Sequence, residues 1–191
     1  MAGTLGGPHP EETMALDVTG AGNAERRPER AERTDPRTQV GRVFLIRHAE
    51  AGERSEWTGK DRDRPLTAPG RIQAERLADR LEGQPLDRIL TSGYVRCVET
   101  MAPMAARGNL IPTLVSWLEE GADAAEALTA LLAGGSVAAC SHGDVVSGIL
   151  FELADRGVAL GSSPRMQKGS MWVLEVVQGR VSSARYLPPP D

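Results

Sequence analysis

Short apolar runs and amphipathic segments alternate along the chain from residue 40 to residue 155. The first run, at residues 43–46, contains no polar position, which is typical of a strand buried on both faces of a sheet. Apolar residues then recur at helical spacing over residues 71–82, so we predict an amphipathic helix there. Its predicted buried face comprises Ile72, Ala74, Leu77, Ala78 and Leu81.

The same alternation predicts three more strands and three more helices. The strands are predicted at residues 88–92, 110–115 and 137–140, and the helices at residues 95–106, 122–132 and 145–155. Two further apolar segments, at 171–177 and 181–186, flank Gln178 and Gly179 and indicate an antiparallel hairpin. We therefore predict an α/β three-layer sandwich: a mostly parallel sheet with helices on both faces and a C-terminal antiparallel hairpin.

Residues 1–39 have a different composition, rich in Gly, Pro, Glu and Arg and without an aromatic residue. Such a stretch cannot bury enough apolar area to offset the entropy lost on ordering. We predict a disordered N-terminal tail over residues 1–39 and one domain over residues 40–191. An arm that docks on a partner is the alternative for the tail.

Composition and charge narrow the class of protein. The 191 residues carry a net charge of −4 and are 40% hydrophobic, which describes a globular protein and argues against a nucleic-acid partner. The first residues lack the basic and apolar regions of a secretory signal, and no apolar run has the length of a membrane span. We therefore expect a cytoplasmic protein without a membrane partner.

The two cysteines, Cys97 and Cys140, lack the spacing of a zinc motif or a disulfide framework, so we predict two buried thiols. No Asp, Glu, Cys or His cluster has metal-ligand spacing either. We expect neither a metal nor a cofactor.

Candidate chemistry lies at the ends of the predicted parallel strands. Arg47 and His48 follow the first strand, Arg96 begins the helix after the second, and His142 follows the fourth. Because the carboxyl ends of parallel strands meet at one sheet edge, these side chains should converge there. A neutral imidazole can hold a phosphoryl group covalently, and arginines bind its oxygens. Taken singly, each residue has an ordinary structural explanation: a histidine satisfied in the core, or an arginine paired with a carboxylate.

Three blocks carry a family resemblance. Arg-His-Ala-Glu at residues 47–50, the segment at 91–100 containing Arg96, and Ser-His-Gly-Asp at 141–144 resemble, in order and spacing, the blocks of the histidine phosphatase superfamily, with its phosphoglycerate-mutase-like fold. The resemblance implies that His48 is the nucleophile and becomes phosphohistidine. It also implies that Arg47, Arg96 and His142 contact the phosphate.

The short intervals between these blocks are similar to the small SixA branch, the phosphohistidine phosphatases. Its Arg-Pro-Leu-Thr block is matched at residues 64–67, which implies that Arg64 binds phosphate. A closer similarity is to the phosphatase domain appended to bacterial MutT-type Nudix proteins, which acts on nucleoside diphosphates. The matching positions include Trp57, Lys60, Arg64, Glu119, Glu120 and Lys168. The chain shows no Nudix motif.

The remaining candidates concern the proton donor and the substrate. Glu119 or Glu120, after the predicted third strand, is the candidate general acid, although either could be an exposed loop glutamate. Lys168 is a candidate for a second phosphate or an ordinary surface lysine. Trp57 and Lys60 could cover a base or a polyphosphate, or Trp57 could fasten its loop to the core.

The sequence therefore predicts a metal-independent phosphatase that forms phosphohistidine on His48, with a small phosphorylated metabolite or nucleotide as substrate. Two alternatives stay open. One is a SixA-like enzyme that acts on phosphohistidine in proteins, and the other is a phosphate-binding module without catalysis.

Overall fold

The computed structural model describes residues 40–161 and 165–191 of the chain. The predicted tail over residues 1–39 lies outside this part, whereas the predicted domain beginning at residue 40 lies almost entirely within it. None of the described helices combines the length and the apolar character needed to span a bilayer.

Six strands form one sheet in the order β3-β2-β4-β1-β5-β6. The strands and helices, in chain order, are β1 (Val40–Arg47), α1 (Ala68–Leu81), β2 (Arg88–Thr91), α2 (Val95–Gly108), β3 (Thr113–Leu114), α3 (Ala124–Leu131), β4 (Val137–Ser141), α4 (Gly143–Asp155), β5 (Met171–Val177) and β6 (Arg180–Leu187). The pairs β1–β4, β4–β2 and β2–β3 are parallel, while β5 and β6 are antiparallel additions beside β1. The predicted fold class is confirmed.

Helices cover both faces of the sheet, each over its own apolar layer. Helices α1 and α2 pack over side chains such as Phe44 and Ile46, whereas α3 and α4 pack over side chains such as Val43 and Leu45. Alternate residues of β1 therefore point to opposite layers. This double burial explains why the first apolar run has no polar position.

Two expectations about individual elements are wrong. Ile72 was expected on the buried face of α1, but it is 55% exposed, and the buried face begins instead with Gly70 and Ala74. The predicted strand at residues 110–115 is reduced to Thr113–Leu114. Because β3 is the edge strand, it has a partner, β2, on one side only, which limits the length that pairing can support.

Local turn chemistry explains two of the boundaries. The Thr67 side chain caps α1 by accepting a hydrogen bond from the Gly70 N–H, with a proline in the first turn. At the hairpin, Gln178 and Gly179 both have positive φ, as a tight two-residue turn between twisted strands requires. The predicted hairpin is therefore confirmed, with Val177 and Arg180 as its closing pair.

Candidate active site

The carboxyl ends of the three central parallel strands are in register. Arg47 of β1 lies beside Ser141 of β4, and the N–H of His48 donates to the Ser141 carbonyl at 3.0 Å. The Ser92 N–H, just after β2, donates to the Cys140 carbonyl at 3.1 Å. Backbone pairing therefore brings the residues that follow β1, β2 and β4 to one edge, as the sequence predicts.

His48 is buried and held in one tautomer. Its Nδ1 lies 2.8 Å from the Ala49 carbonyl oxygen, which only accepts, so Nδ1 carries the proton and Nε2 is left with a lone pair. Burial, together with the nearby positive charges of Arg96 and Arg47, lowers the pKa of His48 to about 3. The ring is therefore neutral at physiological pH, and Nε2 is a potential nucleophile.

Arg96 connects the two histidines. Its side chain is buried, with Nε donating to His48 Nε2 at 3.3 Å and Nη2 lying 3.1 Å from His142 Nδ1. The His48 and His142 ring centroids are 5.5 Å apart. His48, Arg96 and His142 come from separate segments of the chain and lie in contact with one another. Together they place the lone pair of His48 next to the positive charge of Arg96.

His142 is held in place by hydrogen bonds at both ring nitrogens and by packing against Tyr94. Because Nδ1 accepts from Arg96, Nε2 is the atom that donates to the Ser92 hydroxyl, at 2.9 Å. The Tyr94 ring packs edge-on against the His142 imidazole with 4.6 Å between centroids, and the Arg96 guanidinium carbon lies 4.6 Å from the centroid of the Tyr94 ring. These contacts fix the orientations of His142 and Arg96.

Arg47 lies over the first turn of α4. Its Nη1 donates to the Met166 carbonyl at 2.7 Å, and a Cβ on Gly143 would come within 3.1 Å of its guanidinium carbon. Glycine at this position therefore makes room for the arginine. The buried Nε of Arg47 has no hydrogen-bond partner among the described residues. A donor of this kind, beside the N-terminus of a helix, is suited to an anion.

Arg64 reaches the cluster through a carboxylate that sequence reasoning missed. Its Nε donates to Asp61 Oδ1 at 2.9 Å, while the other carboxylate oxygen of Asp61 lies 3.1 Å from Arg96 Nη2. Burial raises the pKa of Asp61, but the hydrogen bond from Arg64 and the charges of nearby arginines outweigh it, so the pKa lies below its ordinary value. Asp61 is therefore a carboxylate shared between two buried arginines.

The two candidate acids occupy different surroundings. Glu120 Oε2 lies 3.2 Å from Arg96 Nη2, next to the histidine pair. Glu119 instead forms a two-bond pair with Arg62, at 2.6 and 2.8 Å, and this pair lowers the pKa of Glu119. Of the two, only Glu120 contacts the central arginine.

The other three predicted substrate-binding residues, Lys168, Trp57 and Lys60, form hydrogen bonds within or to the loop between β1 and α1. Lys168 donates to Glu50 Oε1 at 2.9 Å, while the N–H of the next residue, Gly169, donates to the carbonyl groups of Arg47 and His48. The Trp57 indole N–H donates to the Lys60 carbonyl at 2.9 Å, so this ring fastens its own loop.

Two residues that the sequence analysis did not consider also belong to this region. Asp61 stands three positions before Arg64, a spacing that a search for carboxylate–arginine pairs would have found. Arg54 contacts both Asp61 and Glu120 on the solvent-exposed side of the site, which we call its mouth. Its position in a polar loop gave no periodic signal. Within the described residues, no group of three or more His, Cys, Asp or Glu side chains is arranged to hold a metal ion.

A buried neutral histidine in contact with an arginine, at the carboxyl ends of parallel strands in an α/β fold, is an arrangement suited to holding a phosphoryl group on the histidine. The family model that matches residues 43–122 is the histidine phosphatase superfamily (branch 1). The chain is therefore similar to this superfamily over residues 43–122.

Sequence and structure comparisons agree with this similarity. The chain is 34% identical over 156 residues to the 8-oxo-(d)GTP phosphatase of Mycolicibacterium smegmatis, covering 78% of this chain and 48% of that protein. The chain therefore spans about half the length of this curated relative.

Two solved structures share the fold. The protein histidine phosphatase SixA complexed with tungstate matches with a TM-score of 0.63 and 22% identity, covering 77% of this chain and 94% of that one. YhfR of Bacillus stearothermophilus matches with a TM-score of 0.57 and 26% identity, covering 74% and 94% of the two chains.

Proposed function

We propose that the protein is a phosphatase in which His48 Nε2 attacks the phosphorus of a phosphate ester or anhydride. One observation carries the proposal: the buried, unprotonated Nε2 of His48 faces the Nε of Arg96 at 3.3 Å, beside His142. The nucleophile is thus in direct contact with a positive charge, and a phosphoryl group that replaces this contact would meet both of them. The similarity to the histidine phosphatase superfamily supports the same chemistry.

The first step transfers the phosphoryl group to the histidine. A bond forms between His48 Nε2 and phosphorus, and the bond from phosphorus to the leaving oxygen breaks, with its electron pair staying on that oxygen. The positive charges of Arg47, Arg64 and Arg96 neutralise the charge on the transferring oxygens, where electrostatic stabilisation supplies most of the catalysis, and His142 contacts the same phosphoryl group. The N–H groups at the start of α4 add to this stabilisation.

The second step restores the enzyme. Water attacks phosphorus, the nitrogen–phosphorus bond breaks, and its electron pair returns to Nε2. Glu120 donates a proton to the leaving oxygen in the first step and takes one from water in the second, so the sum is hydrolysis. We favour Glu120 over Glu119 because Glu120 lies 3.2 Å from Arg96, whereas both carboxylate oxygens of Glu119 are bound by Arg62.

The substrate we propose is a small phosphorylated metabolite or a nucleotide. The similarity to an 8-oxo-(d)GTP phosphatase supports a nucleotide. Lys168, Trp57 and Lys60 are the side chains we propose for contacts with the rest of the substrate, because they belong to, or bond to, the loop that follows His48. Neither a nucleic acid nor a membrane is part of the proposal, and the cytoplasm is the proposed location.

A second candidate is the removal of phosphate from phosphohistidine in a protein. The finding that favours it is the similarity of the fold to the protein histidine phosphatase SixA, together with the Arg-Pro-Leu-Thr block at residues 64–67. An imidazole leaving group needs less acid assistance than an alcohol, so this function would depend little on Glu120.

The experiment that tests the proposal is trapping of the intermediate. The purified protein is mixed briefly with a terminally ³²P-labelled substrate and quenched in alkali, because phosphohistidine is labile to acid. We expect label on His48, none on His48→Ala, and label still confined to His48 in His142→Asn. Turnover by His48→Ala close to the wild-type rate would refute the mechanism. Binding of phosphate without turnover by the wild-type protein would favour a non-catalytic binding module.

A further inference from the structure

Arg54 lies at the mouth of the site, outside the inner arginines. It begins the 3₁₀ turn Arg54–Glu56, and its side chain is 66% exposed, against 1% for Arg96. Its Nη2 lies 3.3 Å from Asp61 Oδ2 and 3.7 Å from Glu120 Oε2. These two carboxylate oxygens also contact Arg96 Nη2, at 3.1 and 3.2 Å. One layer of carboxylate thus separates the exposed arginine from the buried one.

The contacts that hold Arg54 are weak. Both distances are longer than the roughly 2.7–2.9 Å of a charge-assisted hydrogen bond between a guanidinium and a carboxylate. Arg62 on the same loop provides the contrast, because two bonds at 2.6 and 2.8 Å commit its guanidinium to Glu119. Exposed ion pairs contribute little to stability, so an anion that binds Arg54 can replace its contacts with Asp61 and Glu120 with little loss of free energy.

The position of Arg54 matches the leaving-group side of the proposed reaction. His48 attacks phosphorus from one side, and the leaving oxygen departs from the opposite side, in line. Glu120, the proposed proton donor, must reach that oxygen, and Arg54 lies beside the Glu120 carboxylate. Arg96 also contacts Glu120 but is buried, whereas Arg54 is exposed, so a charged group attached to the leaving oxygen and extending toward solvent would meet Arg54.

We propose that Arg54 is a specificity-determining residue that binds the leaving-group part of the substrate and selects leaving groups with their own negative charge. The inference rests on the proposed phosphatase function. When the leaving group is itself a phosphate, the bridging bond from oxygen to the terminal phosphorus breaks and its electron pair stays on the departing phosphate. Arg54 neutralises this charge while the terminal phosphorus bonds to His48 Nε2, and hydrolysis then releases inorganic phosphate and a proton.

The test compares two substrates that share one nucleoside. With a nucleoside monophosphate as substrate, the leaving group is the neutral nucleoside. With the diphosphate, attack at the terminal phosphorus makes the charged nucleoside monophosphate the leaving group. For Arg54→Gln we expect the ratio of kcat/KM, diphosphate over monophosphate, to fall about 10- to 100-fold, as for loss of one charge-assisted hydrogen bond. Arg54→Lys should recover part of the ratio.

Arg180→Gln is the matched control, because it removes the same charge from an exposed position. Arg180 pairs with Val177, which also pairs with Val40, so it lies at the opposite end of β1 from His48. For Arg180→Gln, the ratio of kcat/KM for the diphosphate over the monophosphate should stay within about twofold of the wild-type ratio, because salt screens the electrostatic effect of a distant charge. Equal losses in Arg54→Gln and Arg180→Gln would reduce the effect to overall charge and overturn the inference.

A purely structural role for Arg54 makes a different prediction. If this arginine only secures its loop, Arg54→Gln lowers kcat/KM for both substrates by the same factor and leaves their ratio unchanged, which overturns the inference. Calorimetry gives a second measurement, made in a His48→Ala background so that pyrophosphate is not hydrolysed: adding Arg54→Gln should weaken binding of pyrophosphate about tenfold or more relative to inorganic phosphate. An unchanged relative affinity also overturns it. Failure of the proposed function is seen separately, as activity retained in His48→Ala.

Discussion

At the residue scale, the protonation of His48 connects folding to chemistry. His48, the proposed nucleophile, is buried beside two arginines, which lowers its pKa from an ordinary 6.5 to about 3. The same shift affects stability, because unfolding returns the ring to water and to its ordinary pKa. The burial that keeps this imidazole neutral thus also makes the fold sensitive to acid.

The first prediction is that His48 contributes to acid destabilisation. Between about pH 6.5 and pH 3 the unfolded state binds more protons at this residue, so its contribution is present above pH 6.5 and is lost as the pH falls. From pH 7 to pH 5, wild-type protein should lose at most about 2 kcal/mol more unfolding free energy than His48→Asn. Urea unfolding of both proteins at the two pH values measures this. Parallel losses in the two proteins would contradict it.

The second prediction separates the two glutamates. Glu120→Gln should lower kcat about 10²- to 10⁴-fold with alkyl phosphates, because a poor leaving group needs the proton, and far less with p-nitrophenyl phosphate. Glu119→Gln is the matched control, since it removes the same charge one residue away and weakens the pair with Arg62 rather than a contact with Arg96. Wild-type rates for both variants on every substrate would make both glutamates loop residues and favour the phosphohistidine substrate.

At the element scale, the start of α1 supports the segment that follows His48. The Glu50 carbonyl accepts from both the N–H and the hydroxyl of Thr67, which ties the β1–α1 loop to the first turn of the helix. Gly70 packs so closely against this carbonyl that a Cβ would lie 1.9 Å from its oxygen. The first turn of α1 can therefore lie against the loop only because residue 70 is a glycine.

The third prediction tests this contact. Gly70→Ala should destabilise the protein by about 1–3 kcal/mol or more, since the clash is with backbone, and should lower activity by displacing residues next to His48. Gly108→Ala is the control: its Cβ would meet only the Leu110 side chain, at an ordinary 3.5 Å, and should be neutral or slightly stabilising. Thermal melts and kcat/KM of the two variants provide the measurement. Similar melting temperatures would contradict the packing argument.

At the scale of the whole molecule, residues 40–161 and 165–191 contain the complete sheet and every candidate site residue. The two apolar layers are closed by α1 and α2 on one face and by α3 and α4 on the other. This part of the chain therefore has the core of an ordinary domain.

The fourth prediction follows from this organisation. A variant without residues 1–39 should keep its melting temperature within about 2 °C and its kcat/KM within about twofold, because β1 begins at Val40 and no candidate site residue is removed. The full chain measured in parallel is the control. A large loss of stability or of activity would instead support a docked arm for the N-terminal segment.

The sequence by itself determined the class of fold and the edge at which the chemistry lies. Periodicity is local, so runs such as residues 43–46 and 137–140 identify buried strands without knowledge of their partners. The rule that parallel strands end at one edge then brings Arg47, His48 and His142 together. Backbone pairing between Arg47 and Ser141 agrees with this prediction.

Tertiary structure alone decided which contacts the loop residues make and which face of α1 is buried. Asp61 and Arg96 are 35 positions apart, and no local pattern places their groups in contact; the packing of the β1–α1 loop on α2 does so. Packing likewise turned Gly70 inward and left Ile72 exposed. The contacts of Glu120 with Arg96, and of Glu119 with Arg62, differ because neighbouring residues in a loop point in different directions. Side-chain direction in an irregular segment depends on distant partners, which periodicity does not encode.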